Sequence, residues 1–472
     1  AIVRIVKLML NLALCLLMSP VFAQNCERVI RQFHPEGPAK LLTKQEAVML
    51  ALRNNPQIQA AKLQRVLDKF ALEVARNEFE PHYKLGATGF YTADRTLEFR
   101  GGPGVSLRLP SGTDLSIDTD PVIYGEQTGK LTMTIRQPLL RGFDVNVNMA
   151  KLRNAEDNEC MQRLAFKDQF QTTITQVVTA YHQLVQDYNT LEVDRASLKD
   201  SNESLRGARL QIKAGNRAET SITQTAAQVA RQRFSIMRNE NTIKQNTQKL
   251  LLLLGLNPHA KITVVHTIDI ANVKVPSEQE SIRLALRNNV GYQTSLINAR
   301  TLNRSLLVAR DEQRWALGLV VSNTQNFVIP GDEPFNDRRV ALDLSIPIDD
   351  KVRQQSLLSA KIAVDKFKIK FENDEKQLIS DVITGLRDIR AQQQQIQLAE
   401  QAVKYSWQSF HIAQKKLQHG RTTEFEVTTL LTQLTSEQQA LINQKIAFLN
   451  TVAQFEQLLG VSLDRWQLKL CY

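Results

Sequence analysis

Residues 45–55 read QEAVMLALRNN and residues 279–289 read QESIRLALRNN. The match resumes without a gap at Val74-Ala75-Arg76 and Val308-Ala309-Arg310. Farther on, Ala208, Gly215, Glu219 and Leu254-Gly255 are echoed by Ala413, Gly420, Glu424 and Leu459-Gly460, with 40 residues from one Gly to the next in each copy. Self-similarity on this scale decides architecture ahead of local propensity. The chain reads as a tandem duplication: a first structural repeat over 24–256, a linker over 257–276, a second repeat over 277–461 and a tail over 462–472.

Each copy has the same order of elements. A helix (Leu41–Glu80, then Glu278–Arg314) leads into a short β section, a very long helix, a turn at Gly215 or Gly420, and a returning helix. The long helices space apolar residues alternately three and four apart. In copy one the row is Tyr181, Leu184, Tyr188, Leu191, Leu198, Leu205 and Ile212; in copy two it is Leu386, Ile389, Ile396, Val403, Trp407, Phe410 and Leu417. The returning rows are Ile222, Ala226, Val229, Ile236, Ile243, Leu250 and Leu254, and Val427, Leu431, Leu434, Leu441, Phe448, Val452 and Leu459. An apolar repeat of seven keeps one seam of a supercoiled helix facing its partner. Arg195, Asn202, Arg209, Gln393, Glu400 and Gln414 interrupt the rows, so a wholly dry seam is not expected. Arg141–Ala214 is ~74 residues, or ~110 Å as straight helix, and each return of ~39 residues covers ~58 Å.

The β sections alternate with period two. Leu131, Met133 and Ile135 face away from Lys130, Thr132, Thr134 and Arg136; Val340, Leu342, Leu344 and Ile346 face away from Ala341, Asp343 and Ser345. Tyr83–Thr92 and Ala316–Ser322 read as the strands before them. An extra pair, Val105–Leu109 and Leu115–Ile117, flanks Pro110-Ser111-Gly112 and leaves the strand count of the first copy open.

Residues 1–23 combine a basic start (Arg4, Lys7), an apolar run from Leu8 to Met18 and the small-residue end Val21-Phe22-Ala23. This predicts a secretory signal peptide cut after Ala23. The run is shorter than the ~20 residues a spanning helix needs. Cys26 lacks a preceding Leu-Ala-Gly, which argues against lipidation; in an oxidising compartment Cys26 and Cys471 could pair. Across all 472 residues, 43% apolar and 23% charged residues exclude both a disordered chain and a multi-span helical membrane protein. The net charge of +11 is spread without a basic cluster, so nucleic acid is not expected as a partner. The 7 His are scattered and none of the 4 Cys sits in a CxxC. No metal site, cofactor or enzymatic activity is therefore expected, and no phosphate loop or GxSxG is present.

About four principal strands per chain cannot close a barrel, since the smallest membrane barrels have about 8. An open sheet in lipid leaves backbone groups unpaired at several kcal/mol each. Several copies must share one wall.

These features together resemble the TolC-type outer-membrane channel-tunnel family, the outer membrane efflux proteins. The resemblance covers about 41–461. It is carried by Ala51-Leu52-Arg53-Asn54-Asn55-Pro56 with Ala75-Arg76 and Pro81, by Arg136-Gln137-Pro138-Leu139-Leu140-Arg141-Gly142 at a strand-to-helix junction, by Gly215 and Gly420 at helix tips, and by the two Leu-Leu-Gly ends. It implies a mainly α chain with a membrane β-barrel. Long coiled-coil hairpins would form a periplasmic tunnel, and about four strands per chain would enter a 12-strand barrel in a homotrimer. The barrel would sit in outer-membrane lipid, with a periplasmic adaptor and an inner-membrane pump at the tips, for drug efflux or type I secretion.

In this family acidic residues after the second-copy Gly line the periplasmic constriction. Glu426 falls at the first such position; Thr429 stands at the second, Ser221 at the first-copy equivalent and Thr422 at the basic partner position, all departures. Glu424, Glu219, Arg217 and Arg421 are the other candidate constriction residues, and Gly215 and Gly420 the candidate docking tips. One Glu per chain would give a ring of three like charges, selective for cations. A solvated carboxylate at a helix start is the plainer use of such a residue. The competing reading of the whole chain is a soluble periplasmic coiled-coil adaptor, which leaves the paired strand sections unexplained.

Overall fold

The computed structural model describes residues 40–91, 97–124, 128–213, 220–270, 273, 275–328 and 336–468. The leader at 1–23, Cys26, Cys471 and the first-copy tip residues Gly215, Arg217 and Glu219 lie outside the described residues. In chain order the elements are β1 (Lys40–Leu42), α1 (Lys44–Asn54), α2 (Pro56–Asn77), β2 (His82–Tyr91), β3 (Leu97–Arg108), β4 (Asp114–Asp120), β5 (Val122–Tyr124), β6 (Thr128–Pro138), α3 (Val145–Asn148), α4 (Ala150–Lys213), α5 (Thr220–Leu253), β7 (Ile262–Val264), α6 (Glu278–Asn288), α7 (Val290–Asp311), β8 (Ala316–Val328), β9 (Asn336–Ser345), α8 (Lys351–Gln418), α9 (Glu424–Leu458) and α10 (Ser462–Arg465). The described residues divide into two compact units, each drawing on both repeats. One holds the hairpins, within 1–61, 167–289 and 378–471; the other holds the large sheet, within 62–166 and 290–377. No described helix is long and apolar enough to cross a membrane.

The opening helix of each repeat is two helices, not one. Asn55 breaks the first at ψ 126°, outside the helical region, as a residue before proline must. Asn289 adopts ψ 123° without any proline after it. The common cause is a joint with the end of the returning helix. Asn55 Nδ2 donates to the Leu253 carbonyl (2.7 Å), and Asn55 Oδ1 accepts from the Gln57 N–H (2.8 Å), capping α2. Asn289 Nδ2 donates to the Leu458 carbonyl (2.9 Å). Gly255 (φ +66°) and Gly460 (φ +72°) lie so close that a Cβ would fall 2.2 Å from the Asn54 oxygen and 2.3 Å from that of Asn288. The matched words Asn-Asn and Leu-Gly are thus two halves of one contact, made twice.

In the hairpin unit β1 pairs in parallel with β7, and Tyr181 Oη lies 3.1 Å from the Leu42 carbonyl and 3.0 Å from that of Val265. The seams bury Leu184, Leu250, Leu254, Leu386, Ile389, Phe448 and Leu459 almost completely. Trp407, expected in the second seam, is 49% exposed and sits against the His411 ring instead. Phe410, Ala413 and Leu417 take the contact with α9.

A polar row unseen in the sequence runs along α4 at Asp187, Asp194 and Ser201, seven apart and buried. Asp194 accepts from Ser235 Oγ (2.7 Å), Asn239 Nδ2 (2.6 Å) and Gln439 Nε2 (2.8 Å), joining α4, α5 and α9. Nearby, buried His182 donates from Nδ1 to Asn450 Oδ1 (2.8 Å), and burial lowers its pKa to about 4. A histidine held neutral when folded costs stability once the unfolded chain can take the proton. The hairpin unit should lose stability as pH falls from about 6.5 towards 4, by roughly 3 kcal/mol at most. His182→Gln should flatten that part of the profile of melting temperature against pH; an unchanged slope counts against His182 as the source.

In the sheet unit all pairing is antiparallel, in the order β2-β3-β4-β6-β8-β9, with β5 also on β3. The four principal strands foreseen are present, and the extra pair lies between β2 and β6. Beneath the sheet, α2 and α4 are tied by Arg65 Nη2 on Glu159 Oε1 (2.6 Å), with Arg163 on the other Glu159 oxygen (2.8 Å). Arg304 of α7 binds Asp157 and, through Nε, Asn154 Oδ1 (2.7 Å). Gly142 at the strand-to-helix junction donates to Asp311 Oδ2 (2.7 Å).

Candidate functional site

The register of the sheet sorts its side chains into two chemistries. One face carries Tyr83, Leu85, Val105, Leu107, Leu115, Ile117, Leu131, Met133, Ile135, Leu317, Leu319, Val321, Val340, Leu342 and Leu344. The other carries Lys84, Arg108, Asp114, Asp118, Lys130, Thr132, Thr134, Arg136, Thr324, Arg339 and Asp343. Leu85 is 85% exposed, Tyr83 79% and Val340 72%. A soluble sheet buries its apolar face; this one leaves it bare, as lipid-facing strands do. The polar face holds ion pairs: Lys84 Nζ to Asp118 Oδ1 (2.6 Å), and Arg108 to Glu78 (3.7 Å) and Asp114 (3.9 Å). β2 and β9 end the sheet, each with one edge that no described strand pairs.

The second-copy tip is built from two helix caps. Gly420, at φ +69°, lets the Arg421 N–H reach the Lys416 carbonyl (2.9 Å) and its own N–H reach that of Leu417 (3.0 Å). This pairing is the Schellman closure of α8. Two residues later Thr423 Oγ1 accepts from the Glu426 N–H (3.3 Å) and starts α9. The candidates gathered here differ in setting. Glu424 is buried at 6% exposure, whereas Glu426 and Arg421 are exposed. The Thr422 hydroxyl donates to Glu426 Oε2, so the residue at the departed basic position still engages the acid. No group of three or more metal-binding side chains occurs among the described residues.

Sequence reading placed Gly420 at the turn between α8 and α9 but missed the ribbon β3–β5 as a full part of the sheet, and missed the Asp194 node. The signal for the first was Leu97, Phe99, Val105 and Leu107 in period two, diluted by Gly101, Gly102 and Gly104. The signal for the second was the heptad spacing of the polar residues themselves.

Residues 47–256 and 321–461 match the outer membrane efflux protein family. Curated protein sequences give no match. Among solved structures, the fold is shared with CusC, a transmembrane channel (TM-score 0.70, 14% identity, 89% of this chain and 93% of that one). It is shared with the outer membrane protein VceC of Vibrio cholerae (0.70, 16%, 88% and 96%) and with the outer membrane channel CmeC of Campylobacter jejuni (0.69, 13%, 89% and 86%). The family match spans both repeats and well over half the chain, and the chain therefore belongs to the outer membrane efflux protein family, as a TolC-type channel of the outer membrane and not an enzyme.

Proposed function

We propose that three copies of the chain form a channel-tunnel through which substrates leave passively, driven by an inner-membrane pump and a periplasmic adaptor. The observation that carries this reading is a sheet with a bare apolar face and two open edges, on a chain whose other unit is made of long helical hairpins. Open edges are untenable in lipid, and a ring of copies removes them. The adaptor would dock at the tips around Gly215 and Gly420. The cut leader, the two repeats at 24–256 and 277–461, the linker at 257–276 and the tail at 462–472 belong to the same proposal.

Cargo divides into drugs or small toxic molecules and secreted polypeptides. A deletion strain separates them: increased drug sensitivity supports efflux, and loss of a secreted protein supports type I secretion. A strain unchanged in both respects would overturn the export reading.

Glu426 is an exposed acid of the second tip, where Arg421 is also exposed and Glu424 is buried; Arg217 and Glu219 would complete the constriction from the first tip. Three Glu426 side chains around a narrow axis attract cations. Glu426→Ala should shift the reversal potential in a salt gradient towards that of a non-selective pore. An unmoved reversal potential would remove Glu426 from the constriction.

A further inference from the structure

The ribbon Leu97–Tyr124 is built into the sheet, not appended to it. β3 bonds β2 over ten residue pairs and β4 bonds β6 over seven, so β2 and β6 are not neighbours. β4 and β5 make one course, interrupted at Pro121, which has no N–H to give. The turn between β3 and β4 is held at the strand-to-helix junction. There Asn148 Nδ2 donates to the Pro110 carbonyl (3.2 Å) and to that of Gly142 (2.8 Å), and the Thr113 hydroxyl donates to Gln137. The Lys84–Asp118 pair passes over Gly104, where a Cβ would fall 2.5 Å from the lysine stem. β2, β3, β6, β8 and β9 have 10, 12, 11, 13 and 10 residues. Each reaches the ~9–11 residues a membrane strand needs, as does the joined course Asp114–Tyr124.

We infer that each chain crosses the membrane six times and that the wall is an 18-stranded barrel, closed where β9 of one copy pairs with β2 of the next. The inference rests on the trimeric reading and adds to it the strand number and the seam. The two edges fit each other. They are equally long and run in opposite directions, as an antiparallel seam requires. Full overlap, from His82 against Ser345 to Tyr91 against Asn336, sets Tyr83, Leu85 and Ala87 against Leu344, Leu342 and Val340 on the apolar face. The same register sets Lys84 against Asp343 on the polar face. A slip by one residue would turn one set of apolar side chains towards the lumen.

The stagger also closes. Paired residues lead across the sheet from Tyr83 through Val105, Ile117, Met133 and Asn323 to Arg338. Tyr83 is one residue from the helix-side end of β2 and Arg338 is seven from that of β9, a stagger of six per chain. Three chains total about 18, equal to the strand number; the same ratio gives a tilt of about 36° in eight-stranded barrels. That tilt lies within the ~35–45° of outer-membrane barrels. Since diameter grows roughly linearly with strand number, the lumen is about 1.5 times as wide as that of a 12-stranded wall.

The test is disulfide trapping in outer membranes, in a full-length variant with its native cysteines replaced by serine. Leu85→Cys with Leu342→Cys, and in a second variant Gly86→Cys with Ala341→Cys, sample both kinds of antiparallel pair. One of the two should give a covalent trimer on non-reducing gels. Ser116→Cys with Thr134→Cys, or Ile117→Cys with Met133→Cys, should link β4 to β6 within a chain. Covalent trimers without the internal link would overturn the six-strand count and leave the trimer standing. The internal link without intermolecular ones, in a protein that still migrates as a trimer, would overturn the seam. A protein that is monomeric throughout would overturn the trimeric reading itself.

Discussion

Gly255→Ala and Gly460→Ala should each destabilise the protein by about 2–5 kcal/mol. Two effects add. The left-handed conformation, φ +66° and +72°, costs an L side chain roughly 1–2 kcal/mol. The added Cβ also meets backbone, at 2.2 Å and 2.3 Å from the oxygens of Asn54 and Asn288, and overpacking costs typically about 1–3 kcal/mol. Backbone cannot rotate aside as a side chain can. Gly207 is the control, because it lies within α4 with nothing within 4 Å of an added Cβ. Gly207→Ala should stabilise by roughly 0.5–1 kcal/mol through helix propensity alone. Denaturation in detergent measures all three. Equal, small effects at the three positions would mean that the joint between opening and returning helices carries no strain-sensitive contact.

Glu159→Ala should cost the sheet unit about 3–5 kcal/mol, the range for breaking a buried pair and stranding its partner. Arg65 is 7% exposed and Glu159 6%, and their 2.6 Å contact leaves the guanidinium little water to fall back on. Glu159→Ala with Arg65→Met should recover part of the loss, since the stranded guanidinium is removed, while Asp68, 3.5 Å from Arg65, gives up that partner. The pH dependence has a defined sign. Burial raises the Glu159 pKa, but the hydrogen bonds from Arg65 and Arg163 together outweigh it and the net shift is downward. The contribution is therefore present above the ordinary carboxylate range and is lost as pH falls through the lowered value. A variant as stable as the parent at neutral pH would show that the pair is replaced readily by other contacts.

The tip illustrates how far residue types alone carry the reading. Gly420 sits at a turn because its φ is +69°, and Thr423 with Glu426 three residues on is a cap legible in the sequence. Whether each acid meets water was not legible. Glu424 and Glu426 are two residues apart on one helix, yet one is buried and the other exposed, because α9 turns about 200° between them.

Periodicity and repetition by themselves determined the larger plan. The words QEAVMLALRNN and QESIRLALRNN gave the duplication, the heptads gave the hairpins, and the alternation in 131–136 and 340–346 gave strands with one apolar face. Each is a local rule, written in spacing along the chain. Only the tertiary structure decided which distant residues meet. It joined Asn55 to Leu253 and Asn289 to Leu458, gathered Ser235, Asn239 and Gln439 around Asp194, and set β3 and β4 between β2 and β6. Those choices depend on complementarity between segments tens to hundreds of residues apart, a property of pairs of segments that no single stretch of sequence carries.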